Sequence, residues 1–118
     1  MKVRFTGSDG FERRVSQGAA SLREGAEYVV LEIFAQADGA NKFRIEYSDS
    51  ELPALFDSRL FEVSSDEIPK GWTITRNWNG SLTLGPKEWA RPEFWEAFID
   101  HQSWAVELYA VGRSKALG

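Results

Sequence analysis

The chain has no cysteine and a single histidine among its 118 residues. The first absence excludes a disulfide framework and a thiolate zinc site. With one His101 and no spaced acidic loop of the calcium type, no metal or other cofactor is expected. No glycine-rich phosphate loop occurs, since Gly7 and Gly10 belong to a turn. Long apolar runs are missing too, so no membrane span is expected, and Met1-Lys2-Val3-Arg4-Phe5 lacks the apolar core of a signal peptide. A cytoplasmic protein is the expectation. Basic excess is also lacking: 14 Lys and Arg face 18 Asp and Glu, for a net charge of −4. That argues against a nucleic-acid binder, which usually concentrates positive charge on one face.

What is present is β structure rich in aromatic residues. Glu27 to Phe34 carries β-branched and aromatic residues in a run that fits a strand buried on much of both faces. Asp38-Gly39 predicts a tight turn. Lys42 to Tyr47 then alternates strictly, with Phe43, Ile45 and Tyr47 inward. Short strands are also expected at 2–5, 54–56 and 60–63, with an irregular polar loop over 13–23. A second hairpin pairs Trp72–Arg76 with Ser81–Leu84 across Asn79-Gly80.

The periodicity changes after Pro86. Phe94, Trp95, Phe98 and Ile99 form one helical stripe, and Trp104, Leu108 and Val111 another. These predict helices near 92–100 and 103–112, the second capped at Gly112 and followed by a frayed tail. The reading is one α+β domain. A small curled antiparallel sheet or SH3-like barrel (about 2–64) is followed by a hairpin (71–84) and a helical part with two short helices (86–112).

Three constellations bear on function. Between Glu46 and Glu67 lie seven carboxylates, among them Asp49, Glu51, Asp57, Asp66 and Glu67, against the single base Arg59. Gathered on one face they would speed encounter with a basic partner; scattered, they simply keep the domain soluble. Trp72, Trp89, Trp95 and Trp104 lie on or beside apolar stripes and read as core. Trp78 differs, because Arg76-Asn77-Trp78-Asn79-Gly80 places it at a hairpin tip. There it either anchors an interface together with Arg76 or folds back over the sheet. Catalysis finds no foothold: Asp100, His101 and Ser103 are sequence neighbours without a nucleophile elbow, and no carboxylate pair is singled out by spacing. No catalytic residue is assigned.

Taken together, Leu22-x-x-Gly25-x-x-Tyr28-x-Val30-Leu31-x-Ile33, Phe43-Arg44-Ile45, Leu55-Phe56-Asp57-x-x-x-Phe61-Glu62-Val63, Ile68-Pro69-x-x-Trp72, Leu82-x-Leu84-x-Pro86-x-x-Trp89 and Pro92-x-Phe94-Trp95-Glu96-x-Phe98-x-Asp100 have a recognisable order. Over about residues 2–111 the chain resembles small bacterial immunity proteins associated with Rhs-type polymorphic toxin loci. It departs from them at His101-Gln102-Ser103, where a Gly-Asp type turn would be expected. The resemblance implies a non-enzymatic protein that neutralises a cognate toxin, often a basic nuclease domain, by stoichiometric binding. On that reading the acidic stretch would supply steering, with Arg76 and Trp78 as anchors. The alternative is an SH3-like module that binds peptides or proteins of another pathway.

Overall fold

Strand β2, Glu27–Ala35, hydrogen-bonds to three other strands, and the fold is built outward from it. The computed structural model describes all 118 residues. In chain order it contains β1 (Lys2–Phe5), α1 (Arg13–Gly18), β2, β3 (Lys42–Ile45), β4 (Ala54–Asp57) and β5 (Phe61–Ser65). There follow β6 (Trp72–Arg76), β7 (Leu82–Pro86), α2 (Phe94–Ile99) and α3 (Ser103–Leu117). Two 3₁₀ turns, Ser58–Leu60 and Lys87–Trp89, link β4 to β5 and β7 to the helices. All pairings are antiparallel, and strands precede the main helices, as α+β predicts.

The strand order β4-β3-β2-β1-β5 places β4 and β5 at opposite ends, yet only a three-residue turn joins them. The sheet must therefore curl back on itself. Its closure is visible in Phe61, whose ring lies 6.1 Å from Phe5 and 5.9 Å from Phe43. Alternation sends Val3, Phe5, Phe43 and Ile45 into the enclosed core, where they meet Val30, Phe56 and Leu60. The hairpin β6–β7 joins the far end of β2 through Ile33↔Leu84, Phe34↔Thr83 and Ala35↔Leu82.

A second core lies on the other face of β2. Val30 enters the curled sheet while its neighbour Leu31 packs with Trp89, Phe94, Phe98 and Tyr109. Opposite faces at successive residues explain why β2 is apolar over Tyr28–Leu31. Phe94 is fully buried, stacked on Trp89 at 5.8 Å. Tyr109 stacks on Phe98 at 4.3 Å.

Several expectations are corrected. Residues 13–18 form helix α1 rather than part of a loop; it buries none of its own residues, so no apolar stripe announces it. Both hairpin turns are wider than two residues. Six residues separate Ala35 from Lys42. The second turn is the three-residue loop Trp78-Asn79-Gly80, closed by Gly80 N–H to Asn77 O (3.0 Å) and Asn77 N–H to Ser81 O (2.8 Å). Its glycine takes a left-handed φ of 85°. Leu60 belongs to the 3₁₀ turn and not to β5.

Helix α3 does not stop at Gly112. It continues to Leu117, so the tail is ordered, and its buried stripe is Ala105, Tyr109, Gly112 and Ala116 rather than Trp104, Leu108 and Val111. Gly112 admits the neighbouring indole of Trp89. In α2, Ile99 is exposed while Ala97 takes a buried place.

The turn between α2 and α3 closes with His101 N–H to Phe98 O (3.0 Å) and Gln102 N–H to Ala97 O (2.9 Å). This is a Schellman pair, and it holds His101 at φ 57°, the one left-handed non-glycine residue. A side chain there carries a steric cost that glycine lacks, partly offset by the greater freedom of unfolded glycine. His101→Gly is expected to stabilise the fold by about 0.5–1 kcal/mol. Urea unfolding would register this as a higher midpoint at unchanged slope.

Candidate functional site

The outer face of the sheet beneath α2 is concave, with a volume of about 540 Å³. Its floor is one row of residues across five strands: Leu55 pairs with Arg44, Arg44 with Glu32 and Gly85 with Thr73, while Gly85 lies against Glu32. Gly85 supplies the depression, since a Cβ there would lie 3.1 Å from Glu32 Cγ. The turn and helix carrying Trp89, Arg91 and Trp95 form one wall, and the β6–β7 tip with Arg76 and Trp78 forms the opposite rim.

An ion pair is built into this floor. Glu32 is 4% exposed, and Arg44 Nε donates to its Oε1 at 3.0 Å. The Arg44 guanidinium lies 3.7 Å from the Trp95 ring centroid, a desolvated cation–π stack. Burial pushes the Glu32 carboxyl above its ordinary range, against the opposing charge and hydrogen bonds of Arg44 and Trp95. Strict alternation from the inward Val30 would turn Glu32 into the curled core. The register shift between Val30 and Glu32 sets it on the outer face opposite Arg44, where the helical segment arriving some sixty residues later covers it.

Trp78 is 97% exposed, so it does not fold back over the sheet. Asn77 holds its loop by donating to Ser81 Oγ and Thr83 Oγ1, both at 3.0 Å. Asn79 Oδ1 accepts from Ser81 N–H and Oγ–H. A loop already ordered by these bonds loses little backbone entropy when its indole is covered. Arg76 and Arg91 make no ion pair; Arg91 stacks over Trp104 at 4.2 Å.

The acidic stretch does not form one face. Ser65 pairs with Lys2, Lys2 with Val29, and Val30 with Ile45. The chain therefore leaves β3 and β5 at the same end of the sheet, which brings the loops bearing Asp49, Glu51, Asp66 and Glu67 to that end. Asp57 pairs with Lys42 at the other end, toward Arg76 and Trp78. Its carboxylate, 11% exposed, accepts from Arg59 N–H at 2.9 Å and pairs with the Arg59 guanidinium at 2.7 Å. Those hydrogen bonds hold its pKa below the usual range, despite partial burial. Asp57 caps a turn, which leaves it little to offer a partner.

Glu46 is likewise engaged, accepting from Tyr109 Oη and from Arg113 Nε at 2.8 Å. Burial, then the bond to Glu46, keeps the Tyr109 phenol protonated far above neutrality. Glu62 pairs with Arg4 at 3.4 Å. Of the acids singled out, Asp49, Glu51, Asp66 and Glu67 remain without an ion pair.

Sequence reasoning missed the groove, the Glu32–Arg44–Trp95 floor and Arg91. The signal for the floor was a Glu within an apolar strand, which asks for a buried partner. His101 is exposed in its turn, and nowhere do three His, Asp or Glu side chains converge as around a metal ion. No helix is long and apolar enough to cross a membrane. No family model, curated protein or solved structure matches this chain.

Proposed function

We propose that this chain is a cytoplasmic immunity protein that neutralises a toxin domain by one-to-one binding, with the groove rim at Trp78 as its anchor. The observation that carries the reading is the fully exposed indole on a hydrogen-bonded loop beside a groove. A large apolar side chain left bare to water on an ordered loop has the character of a binding hot spot. The resemblance to Rhs-associated immunity proteins supports the same reading. The acidic end, with Asp49, Glu51, Asp66 and Glu67, adds long-range attraction for a basic toxin, while contact concentrates at the Trp78 end. A standard interface of about 800 Å² per partner needs little more than one such end.

Co-expression with the adjacent toxin gene product, followed by size exclusion and a toxicity rescue assay, tests this. A 1:1 complex with rescue is expected; neither would appear if the reading is wrong. Trp78→Ala should weaken the complex by about 2 kcal/mol, chiefly through faster dissociation, at unchanged fold. Reversing Asp49, Glu51 and Glu67 together should mainly slow association, an effect that salt erases. A second reading, an SH3-like peptide-binding module, is favoured by the groove itself. Binding of unrelated extended peptides without any toxin rescue would bring it forward.

A further inference from the structure

The groove is bounded on one side by β6, which pairs only with β7. Antiparallel neighbours alternate between hydrogen-bonded and non-hydrogen-bonded pairs. Asn77 N–H to Ser81 O and Lys87 N–H to Gly71 O are bonded positions. Counting along the register, Thr73 and Thr75 then bond to β7, while the backbone groups of Trp72, Ile74 and Arg76 point to the open edge. None of these three forms a backbone bond outside the hairpin. The edge is lightly protected: Trp-Thr-Ile-Thr-Arg holds no proline or bulge and its single charge, Arg76, sits at the strand end, whereas β4 is preceded by Pro53 and ends in Asp57. Ile74, in mid-strand, is 69% exposed.

We propose that β6 receives an extended acidic segment of the partner as an eighth strand. This rests on the reading of the Trp78 rim as a binding surface, and adds the conformation and local charge of the contacting segment, distinct from the basic charge of the partner as a whole. Charge complementarity selects the occupant. The charged residues of the groove are the internally satisfied Glu32–Arg44 pair and the unpaired Arg76 and Arg91. It therefore presents two free cations in a chain of net charge −4. Carboxylates on the groove-facing positions of an added strand would meet Arg91. The alternate positions share the face of Ile74 and Arg76; apolar residues there would cover Ile74, and a carboxylate at the end of the added strand would meet Arg76. A second copy of β6 brings no acid and would leave both cations unpaired.

The test titrates isotopically labelled protein with two capped peptides of about eight residues, one alternating Glu with Val and the other Lys with Val. The acidic peptide should bind about tenfold tighter at low salt, the preference shrinking at high salt. It should also slow amide exchange at Ile74 and Arg76. Ile74→Pro, which removes an edge donor at a position where proline is tolerated, should abolish binding. Arg76→Glu combined with Arg91→Glu leaves the backbone intact and should reverse the peptide preference. Absent binding, equal binding of both peptides, or binding without protection at those amides would overturn the proposal. So would a self-associated protein whose Ile74 amide is already protected. Toxin rescue that survives the double Arg reversal would leave the immunity reading standing and remove this one. Acidic-strand binding without any rescue would do the opposite.

Discussion

Arg44→Met is expected to destabilise the fold by about 3–5 kcal/mol, because it strands the Glu32 carboxylate in a buried site. Glu32 lies under α2 with Arg44 as its only ion-pair partner, and Gly85 offers no polar group in place of the guanidinium. Methionine preserves most of the aliphatic volume, so the loss reports charge rather than packing.

The effect should depend on pH, with a definite sign. Burial already raises the Glu32 pKa in the native protein. A raised carboxyl contributes stability that is fully present below the ordinary carboxylate range and lost as pH climbs through the native-state pKa. Removing Arg44 raises that pKa further. The variant should therefore be least stable in mildly alkaline solution and recover part of the loss in mildly acidic solution. Urea unfolding at the two conditions measures this; a pH-independent loss would mean that the charge is not the cause. Adding Glu32→Leu to Arg44→Met should restore much of the stability, since a buried pair replaced by apolar residues is often close to neutral.

Gly112→Ala should cost about 3 kcal/mol, although alanine is the better helix former by about 1 kcal/mol. A Cβ at this position would lie 2.5 Å from Trp89 Cε2 and Nε1 and 2.8 Å from Cζ2. The indole cannot step aside. Its Nε1–H donates to Leu108 O at 3.0 Å, and its ring is stacked between Phe94 at 5.8 Å and Tyr109 at 5.2 Å. The added methyl must push α3 away from the Lys87–Trp89 turn, which also strains the pair between Lys115 and Glu88. Gly18→Ala is the control. At the end of α1 a Cβ meets nothing within 4 Å, and the backbone is not left-handed. The same chemical change there should be neutral or stabilising by a few tenths of a kcal/mol, through lost freedom of the unfolded chain. Calorimetry on the two variants separates steric from propensity effects.

Gly112 also shows where sequence reading stops. A glycine after an apolar stripe is an ordinary helix end, and only the arrival of Trp89 from another element gives it a steric purpose. The stripe on α3 was displaced by one residue for the same reason. Gly112 is buried because the Trp89 ring approaches it, and Ala105 and Ala116 are buried in the same core cluster, while the bulkier Val111 is left exposed. Helix α1 escaped notice because it has no apolar face to read.

The sequence by itself determined the strands, both hairpins, the change to helical period after β7 and hence the α+β class. These follow from alternation, β-branching and glycine placement, which act over a few residues. It also marked Trp78 and Arg76 as standing apart from the core residues around them. Only the tertiary structure decided that the acidic loops would divide between two ends, that Asp57 would cap a turn, and that Glu32 and Arg44 would floor a groove. Those outcomes depend on which faces meet across dozens of residues. The curl of the sheet and the approach of α2 and α3 set those meetings, and no local spacing encodes them.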